Sequence, residues 1–327
     1  MHILITGAAG MIGRKLTERL VRDGGLNGRA IAKLTLIDVV APSKPVGFAG
    51  ETVLAASDLS LFGTADQAIG GRPDVIFHLA AIVSGEAELD FDKGYRVNLD
   101  GTRALIDAVR KLGESYHPKL VFTSSIAVFG APYPEAIPDE FHLTPLTSYG
   151  TQKAICELLI SDFTRRGVLD GVGIRLPSIV VRPGKPNKAA SGFFSSIIRE
   201  PLAGEEAVLP VEESVLHWHA SPRSAVGFLI HAAGLTREQL GSRVNLTMPG
   251  VCCTVAEQIA ALRRVAGDKA AARIRREPDP LVTRIVAGWP SRFDARRATA
   301  LGFTVERSFD DIIRAHIEDD RDGKIAA

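Results

Sequence analysis

A tyrosine and a lysine four residues apart are the first candidates for chemistry in this sequence. They stand in the segment Tyr149-Gly150-Thr151-Gln152-Lys153, and residues at positions i and i+4 of a helix share one face. A phenol has a pKa of about 10, and a neighbouring ammonium group favours its ionised form. Tyr149 is therefore a candidate general base for a hydroxyl group, with Ser125, at the end of a predicted strand, hydrogen-bonding the reacting oxygen. The competing interpretation of the pair is a solvated helix face.

A glycine-rich turn near the amino terminus predicts a site for a phosphate group. The segment Gly7-Ala8-Ala9-Gly10-Met11-Ile12-Gly13 lies between the first apolar strand and the first helical pattern. Gly7 permits a tight turn, Gly10 lets the backbone approach a pyrophosphate, and Gly13 allows close packing of helix on strand. The free N–H groups at the helix start, around Met11 and Ile12, would bind the anion. The strand–turn–helix context favours dinucleotide binding over an ordinary glycine-rich turn.

An acidic residue after the second strand indicates which dinucleotide is bound. Asp38 ends the apolar segment 33–38, where a carboxylate accepts hydrogen bonds from a ribose diol and repels a 2′-phosphate, so NAD is predicted rather than NADP. The alternative is an Asp that caps a turn. Asp58 and Leu59, after the third strand, are weaker candidates for the adenine edge. A bound nicotinamide cation and Lys153 could together lower the pKa of Tyr149 by about 3 units, which needs roughly 4 kcal/mol.

The elements that would position these residues alternate between apolar strands and helices. Strands are predicted at residues 3–5, 33–38, 51–56, 75–77, 119–123 and 173–181, and the main helices at 11–22, 95–111 and 148–166. Near-continuous apolar strands separated by helices predict an α/β fold with a doubly wound parallel sheet. We expect residues 1–182, with 220–248 returning to them, to form the dinucleotide-binding domain. Residues 183–219 and 249–327 would form a smaller mixed α/β substrate domain.

The composition of the chain argues against several classes of function. The chain has 327 residues, a formal net charge of +1 and 46% apolar residues, so neither a nucleic-acid nor a membrane partner is predicted from charge. No apolar segment approaches the roughly 18 residues of a membrane span. The three cysteines, two of them adjacent, make a poor disulfide framework, which predicts a cytoplasmic setting. His217 and His219 lack further ligands nearby, and no metal is predicted.

Together these motifs resemble the extended short-chain dehydrogenase/reductase family, which includes the sugar-nucleotide epimerases and dehydratases. The resemblance covers about the first 185 residues and also rests on His78 to Ala81, Asn98 to Thr102, Thr123 to Ser125, Val128 to Gly130 and Arg175 to Pro177. It implies a Rossmann domain, NAD as cofactor and a Ser125, Tyr149 and Lys153 catalytic set, with Lys153 also binding the nicotinamide ribose. It further implies a homodimer formed through the helices at 95–111 and 148–166. The further cofactor contacts that it implies are Leu79, Ala80, Ala81, Asn98, Pro177 and Ser178.

The carboxy-terminal part departs from the sugar-nucleotide enzymes. Leu216 stands where those enzymes carry an arginine for the diphosphate, so a nucleotide sugar is disfavoured. The chain looks more like the subgroup whose members oxidise the 2-hydroxyl of D-erythronate, a four-carbon sugar acid, to a 2-keto acid. The residues that carry this likeness are 185–187, 191–194 and 217–223. The alternatives are a nucleotide-sugar epimerase or dehydratase and a non-catalytic NAD-binding protein.

A sugar acid needs a partner for its carboxylate, and an arginine is the natural choice. Arg223 and Arg182 are the cationic candidates, and Asn187 is a neutral donor. Arg223 could equally brace a helix. Ser84, just past the fourth strand, is a candidate for contact with substrate or cofactor, and an ordinary loop serine is the alternative.

Overall fold

A seven-stranded sheet forms the centre of the first part of the chain. The computed structural model describes residues 1–184 and 190–326. The strands are β1 (His2–Thr6), β2 (Lys33–Asp38), β3 (Glu51–Ala56), β4 (Val75–His78), β5 (Lys119–Ser125), β6 (Asp170–Leu176) and β7 (Asn245–Thr247). Their spatial order is β3-β2-β1-β4-β5-β6-β7, which is the order of a Rossmann sheet extended by one strand. The predicted α/β fold with a doubly wound sheet is confirmed.

The register of the strands places the candidate site at one edge of this sheet. Thr6 at the end of β1 pairs in parallel with Ile37 of β2 and with His78 of β4, and His78 pairs with Phe122 of β5. The residues that follow these positions, including Gly7 and Asp38, therefore emerge together at the carboxyl ends of the strands. Ligands of open α/β sheets bind at that edge.

Helices pack on the sheet because their apolar faces complete its core. The helices in the chain are Met11–Asp23, Thr64–Gly70, Ser84–Leu89, Phe91–Gly94, the π-helix Tyr95–Asp100, Gly101–Lys111, the 3₁₀ turn Ile126–Val128, Ser148–Arg165, the 3₁₀ turn Ala190–Gly192, Phe193–Leu202, Pro222–Gly234, Arg237–Leu240, Val255–Ala266, Asp268–Ala271, Pro280–Ala287, Arg296–Ala300 and Phe309–Asp320. One buried cluster joins Leu4 and Ile76 of the sheet to Leu105, Val109 and Ile160 of two helices.

The described residues divide into two compact units. The first comprises 1–128, 145–175 and 226–246, and the second comprises 129–144, 176–225 and 247–326. In one small sheet of the second unit, Leu216–Ala220 lies between Ser178–Ile179 and Val251–Thr254. Two others pair Ala207–Leu209 with Ile274–Arg276 and Ile137–Pro138 with Phe293–Asp294. A separate hairpin in the first unit pairs Gly25–Leu26 with Arg29–Ala30. The assignment of a substrate-binding role to the predicted second domain stays a prediction.

Two elements differ from the sequence prediction. The sixth strand ends at Leu176 instead of continuing to residue 181, because Pro177 has no N–H to donate to the sheet. The residues after it, Ser178–Ile179, pair with Leu216–Ala220 instead. The predicted helix 95–111 begins as the π-helix Tyr95–Asp100, and only Gly101–Lys111 is α-helical. Short π-helices are rare and frequently lie at functional sites.

A buried ion pair holds the helix Ser148–Arg165 against the sheet. The Glu157 carboxylate accepts bonds from Arg175 of β6 at 2.8 Å (Nη2) and 3.0 Å (Nε), and the Ser124 hydroxyl donates to the same carboxylate. Both charged side chains are almost fully buried. Because β5 and β6 both bind this carboxylate, the position of the helix along the sheet is fixed.

Arg175→Met should destabilise the protein by about 3–5 kcal/mol, because it leaves the Glu157 carboxylate buried without its cation. The free energy of unfolding in urea measures the loss. Arg165→Met is the matched control, since Arg165 pairs with Asp162 at the surface and such pairs contribute at most about 1 kcal/mol. Equal losses in the two variants would contradict the role given to the buried pair.

Candidate active site

The glycine turn after β1 is shaped so that side chains are excluded from it. Gly7 has φ +74°, and a Cβ there would lie 2.7 Å from the backbone nitrogen of Ala80. A Cβ at Gly13 would lie 2.2 Å from the Gly7 carbonyl oxygen. The helix Met11–Asp23 begins at Gly10 without a side-chain cap, so its first N–H groups face outward for an anion. The turn fits the pyrophosphate of a dinucleotide.

The Asp38 carboxylate joins this turn to the end of β2. It accepts a hydrogen bond from the Ala9 N–H at 3.0 Å through one oxygen and from the Val40 N–H at 3.2 Å through the other. The side chain is half-buried, and a carboxylate oxygen has a second lone pair for a further donor. Its predicted contact with the ribose is compatible with this placement and stays a prediction.

The two weaker adenine candidates differ in their surroundings. The Asp58 carboxylate accepts bonds from the backbone N–H and the hydroxyl of Ser60, at 2.9 and 2.7 Å, and so closes a local turn. Leu59 is buried in the core of the first unit. Its side chain supports the sheet, and any contact of residue 59 with adenine would involve the backbone. Both assignments remain predictions.

The loop after β4 is held by hydrogen bonds from two directions. Leu79 N–H donates to the Thr6 carbonyl at 3.1 Å, and Ala80 N–H lies 3.4 Å from the Thr6 hydroxyl. The buried Asn98 side chain binds the backbone of Ile82, two residues farther along. Asn98 is therefore placed to hold the loop in position. Ser84 begins the helix Ser84–Leu89 and is half-buried.

His78, which its sequence motif does not single out as a site residue, is buried beside this loop. Thr102 donates its hydroxyl to the Asn98 carbonyl, so it can only accept from Nε2 of His78, at 2.9 Å. Nδ1 of His78 then accepts from the Thr6 hydroxyl at 2.7 Å. Burial, with a smaller effect of Lys153, lowers the His78 pKa to about 3. The imidazole is neutral and links β1, β4 and the helix Gly101–Lys111.

Tyr149, Lys153 and Ser125 all lie in the first unit, and the Lys153 ammonium lies near the Tyr149 ring. Lys153 Nζ lies 5.7 Å from the centroid of the Tyr149 ring and 4.6 Å from that of Phe122. It donates to the Thr123 carbonyl at 2.8 Å, two residues before Ser125. The Ser125 hydroxyl oxygen accepts from the Ala127 N–H at 3.1 Å. The catalytic roles themselves stay predictions.

The Lys153 ammonium is the strongest electrostatic feature of this arrangement. Burial lowers its pKa to about 8, and the Cys156 side chain and the Glu157 carboxylate nearby on its own helix offset only part of that effect. At neutral pH the group is still mostly protonated. A cation in such a site interacts strongly with a neighbouring phenolate because little water screens the charge.

The candidate residues in the second unit sit among aromatic side chains. The Ser178 hydroxyl is 2.6 Å from Nε2 of His217, whose ring stacks on Phe194. His219 lies on the same face of the strand, with its ring 5.2 Å from that of His217. Burial lowers the pKa of His217 to about 3 and lowers that of His219 as well. Both rings are packing groups held neutral. Pro177 is buried and Ser178 half-buried.

Of the three candidates for binding the substrate carboxylate, two arginines already bond to other protein groups, and the third residue lies outside the described part of the chain. Arg223 makes two bonds to Asp319, at 2.6 and 3.0 Å, and one to Glu318 at 2.8 Å. Arg182 donates to the Ile179 carbonyl and to the Ser191 hydroxyl. Asn187 lies outside the described residues. Arg223 thus braces the helix Phe309–Asp320, and a substrate role for it remains a prediction.

Metal binding and membrane insertion are two other classes of function. Among the described residues, no group of three or more His, Cys, Asp or Glu side chains is arranged to hold a metal ion. Within residues 1–184 and 190–326, none of the helices combines the length and the apolar composition needed to cross a membrane.

The chain is similar to one protein family and to several known proteins. The model of the NAD dependent epimerase/dehydratase family matches residues 3–220. The chain is 49% identical to the D-erythronate dehydrogenase of Cupriavidus necator, over 98% of each chain. It is 43% identical to that of Haemophilus influenzae, over 98% of this chain and 100% of the other. It is also 65% identical to a crystal structure described as the nucleoside-diphosphate-sugar epimerase from Agrobacterium tumefaciens, which covers 100% of this chain and 96% of the other with a TM-score of 0.98.

Asp38→Ala should weaken NAD binding about tenfold or more and reduce discrimination against NADP, because a charged hydrogen-bond partner of the ribose is lost. Asp38→Asn is the matched control: its amide oxygen still accepts from the Ala9 N–H, but the charge that repels a 2′-phosphate is gone. It should therefore raise the relative affinity for NADP with a smaller loss for NAD. Titration calorimetry with both dinucleotides measures these affinities. An unchanged preference in both variants would remove Asp38 from the cofactor site.

Lys153 should make stability rise between pH 8 and 10.5. In that range the native amine releases its proton while the unfolded amine keeps it, so the unfolded state binds more protons and the free energy of unfolding increases with pH. The gain relative to Lys153→Met should approach about 3 kcal/mol. Urea unfolding at several pH values tests it, with Lys111→Met at the surface as control. A pH profile of the wild type parallel to that of Lys153→Met would refute the lowered pKa.

Proposed function

The chain belongs to the NAD dependent epimerase/dehydratase family, and we propose that it is an NAD-dependent dehydrogenase that oxidises the 2-hydroxyl of a small sugar acid such as D-erythronate to the 2-keto acid. The observation that carries this proposal is its similarity, from end to end, to two D-erythronate dehydrogenases. The arrangement of Tyr149, Lys153 and Ser125 provides groups for the chemistry that those names describe.

NAD would be held by groups that the first unit places at the edge of the sheet. The glycine turn and the start of the helix Met11–Asp23 would bind the pyrophosphate, and Asp38 the adenosine ribose. Lys153 would bind the nicotinamide ribose. When bound, the nicotinamide ring supplies the acceptor for the hydride that leaves the substrate carbon.

Proton transfer is the part of the reaction that the chain itself performs. Oxidation of an alcohol removes a hydride from carbon and a proton from oxygen, and Tyr149 as phenolate would take the proton. The Lys153 ammonium, fixed by the Thr123 carbonyl, favours that phenolate electrostatically. Ser125, whose oxygen accepts from the Ala127 N–H, would donate a hydrogen bond to the substrate oxygen and keep its own proton.

The proposal also covers the oligomeric state of the protein and its location in the cell. We infer a homodimer formed through the helices at 95–111 and 148–165. Leu158, on the helix at 148–165, is 64% exposed. Leu89 and Phe91, which shortly precede the helix at 95–111 in sequence, are 79% and 58% exposed. Burial of such side chains is the usual driving force of association. The three cysteines are free thiols, which suits the reducing cytoplasm.

A nucleotide-sugar epimerase is the second candidate, because the structure from Agrobacterium tumefaciens that is 65% identical to this chain is described as one. An epimerase oxidises and then reduces its substrate. The NADH formed in the first step is reoxidised to NAD in the second, so none accumulates. Leu216, half-buried at the start of a strand, occupies the place predicted for a diphosphate-binding arginine, and this disfavours a nucleotide sugar.

A spectrophotometric comparison separates the two functions. We expect NADH to accumulate with NAD and D-erythronate, and no conversion of UDP-glucose or UDP-galactose. Absorbance of NADH is followed with a panel of four- to six-carbon sugar acids, and the nucleotide sugars are analysed by chromatography for epimer formation. Epimer formation without NADH release would replace the proposed function with the second candidate.

Tyr149→Phe should reduce kcat by a factor of about 10² to 10⁴, the usual contribution of a positioned acid or base, while NAD affinity changes little. Steady-state kinetics and calorimetry measure the two quantities. Tyr116→Phe provides the control, because the Tyr116 hydroxyl is buried and bonded to the Pro73 carbonyl at 2.8 Å but lies outside the proposed site. Turnover retained in Tyr149→Phe would exclude Tyr149 as the base.

A further inference from the structure

The orientation of one buried amide is fixed by the backbone beside it. Asn98 Oδ1 accepts from the Ile82 N–H at 2.9 Å, and Asn98 Nδ2 donates to the Ile82 carbonyl at 3.3 Å. Exchanging the oxygen and nitrogen of this amide would set donor against donor and acceptor against acceptor. The structure therefore determines which way Asn98 faces.

This orientation determines that of a second buried amide. The other hydrogen of Asn98 Nδ2 is directed at Gln152, 2.7 Å away. Because Nδ2 only donates, Gln152 must present its Oε1 and turn its Nε2 away. Gln152 is fully buried, and its Nε2 has no hydrogen-bond partner among the described residues. It faces Gly94, where an added Cβ would lie 2.6 Å from it.

An unpaired buried donor costs free energy of folding, and an apolar side chain of similar volume would avoid that cost. Packing alone therefore does not explain why a glutamine, and not an apolar residue, stands at position 152. The side chain does, however, complete a continuous link. Ile82 directly follows the segment 79–81, while Gln152 directly precedes Lys153 and lies three residues after Tyr149.

The π-helix that carries Asn98 is tied to the same helix as Gln152. The Asn98 carbonyl accepts from the Cys156 thiol at 3.3 Å and from the Thr102 hydroxyl. Cys156 is one turn after Gln152 on the helix Ser148–Arg165. Asn98 is therefore bound to this helix through its backbone and through its side chain, and a shift of the helix would be transmitted to Ile82.

We propose that Gln152 is a positioning residue which, through Asn98, keeps the loop after β4 in register with Tyr149 and Lys153. The inference rests on the proposed function, since that loop and Lys153 are the groups assigned to the nicotinamide half of NAD. Gln152 is fully buried and would act through its bond to Asn98. Its effect is to fix the distance between the cofactor and the phenol, and small errors in such distances lower turnover strongly.

Gln152→Met tests the proposal because it keeps the volume of the side chain and removes the oxygen that faces Asn98. We expect faster hydrogen exchange of the Ile82 amide in the protein without ligand, at least fivefold weaker NAD binding and at least a tenfold lower kcat. The midpoint of thermal unfolding should stay within about 3 °C of the wild type, since an unpaired donor is removed as well. Unchanged exchange at Ile82 together with unchanged NAD affinity would overturn the proposal.

Two comparisons separate positioning from a general loss of packing. Gln258→Met changes another fully buried glutamine with an unpartnered atom, in the second unit, and should leave exchange at Ile82 and NAD affinity unchanged. In an Asn98→Ala background, Gln152→Met should have no further effect on either quantity, because the link is already broken. Additive effects in the double variant would show that Gln152 acts independently of Asn98 and would overturn the inference. Failure of the proposed function would be seen separately, in a wild-type protein that binds NAD but forms no NADH from sugar acids.

Discussion

A single desolvated cation, Lys153, sets the requirements for the rest of the candidate site. Its ammonium group is almost fully buried and donates to the Thr123 carbonyl, and the face of the Phe122 ring lies beneath it. Burial lowers its pKa to about 8, and nearby groups that include the Glu157 carboxylate offset part of that effect, so the charge is retained at neutral pH. The electrostatic effect of such a charge on Tyr149 depends on fixed geometry. The end of β5 and the helix Ser148–Arg165 must therefore be held in one position.

The structure fixes that position with a second buried charge network. Glu157 is one turn beyond Lys153 on the same helix, and it binds Arg175 of β6 and Ser124 of β5. An ion pair of this kind gives little net stability compared with apolar packing, but it tolerates very few geometries. The directional bonds of Glu157 therefore keep the helix Ser148–Arg165 from sliding along the sheet.

Neutral hydrogen-bonding groups hold the cofactor side of the site. His78 is uncharged because burial lowers its pKa to about 3, and it bonds Thr6 and Thr102. Asn98 binds the Ile82 backbone and Gln152. Neutral groups can order a loop without adding a charge that would compete with Lys153 for the phenolate. The imidazoles of His217 and His219 in the second unit are also kept neutral by burial.

The sequence by itself determined the order of strands and helices, the glycine turn, Asp38 and the helical spacing of Tyr149 and Lys153, because these depend on local periodicity and on residue type. Only the tertiary structure decided which partners those residues meet. It paired Ser178–Ile179 with the strand Leu216–Ala220, made the segment Tyr95–Asp100 a π-helix, and engaged Arg223 with Asp319 and Glu318. Glu157 shares the helix face of Tyr149 and Lys153 at position i+8, yet its partner Arg175 lies 18 residues away in sequence. Contacts of that kind come from the packing of the sheet against the helix, and no local pattern encodes them.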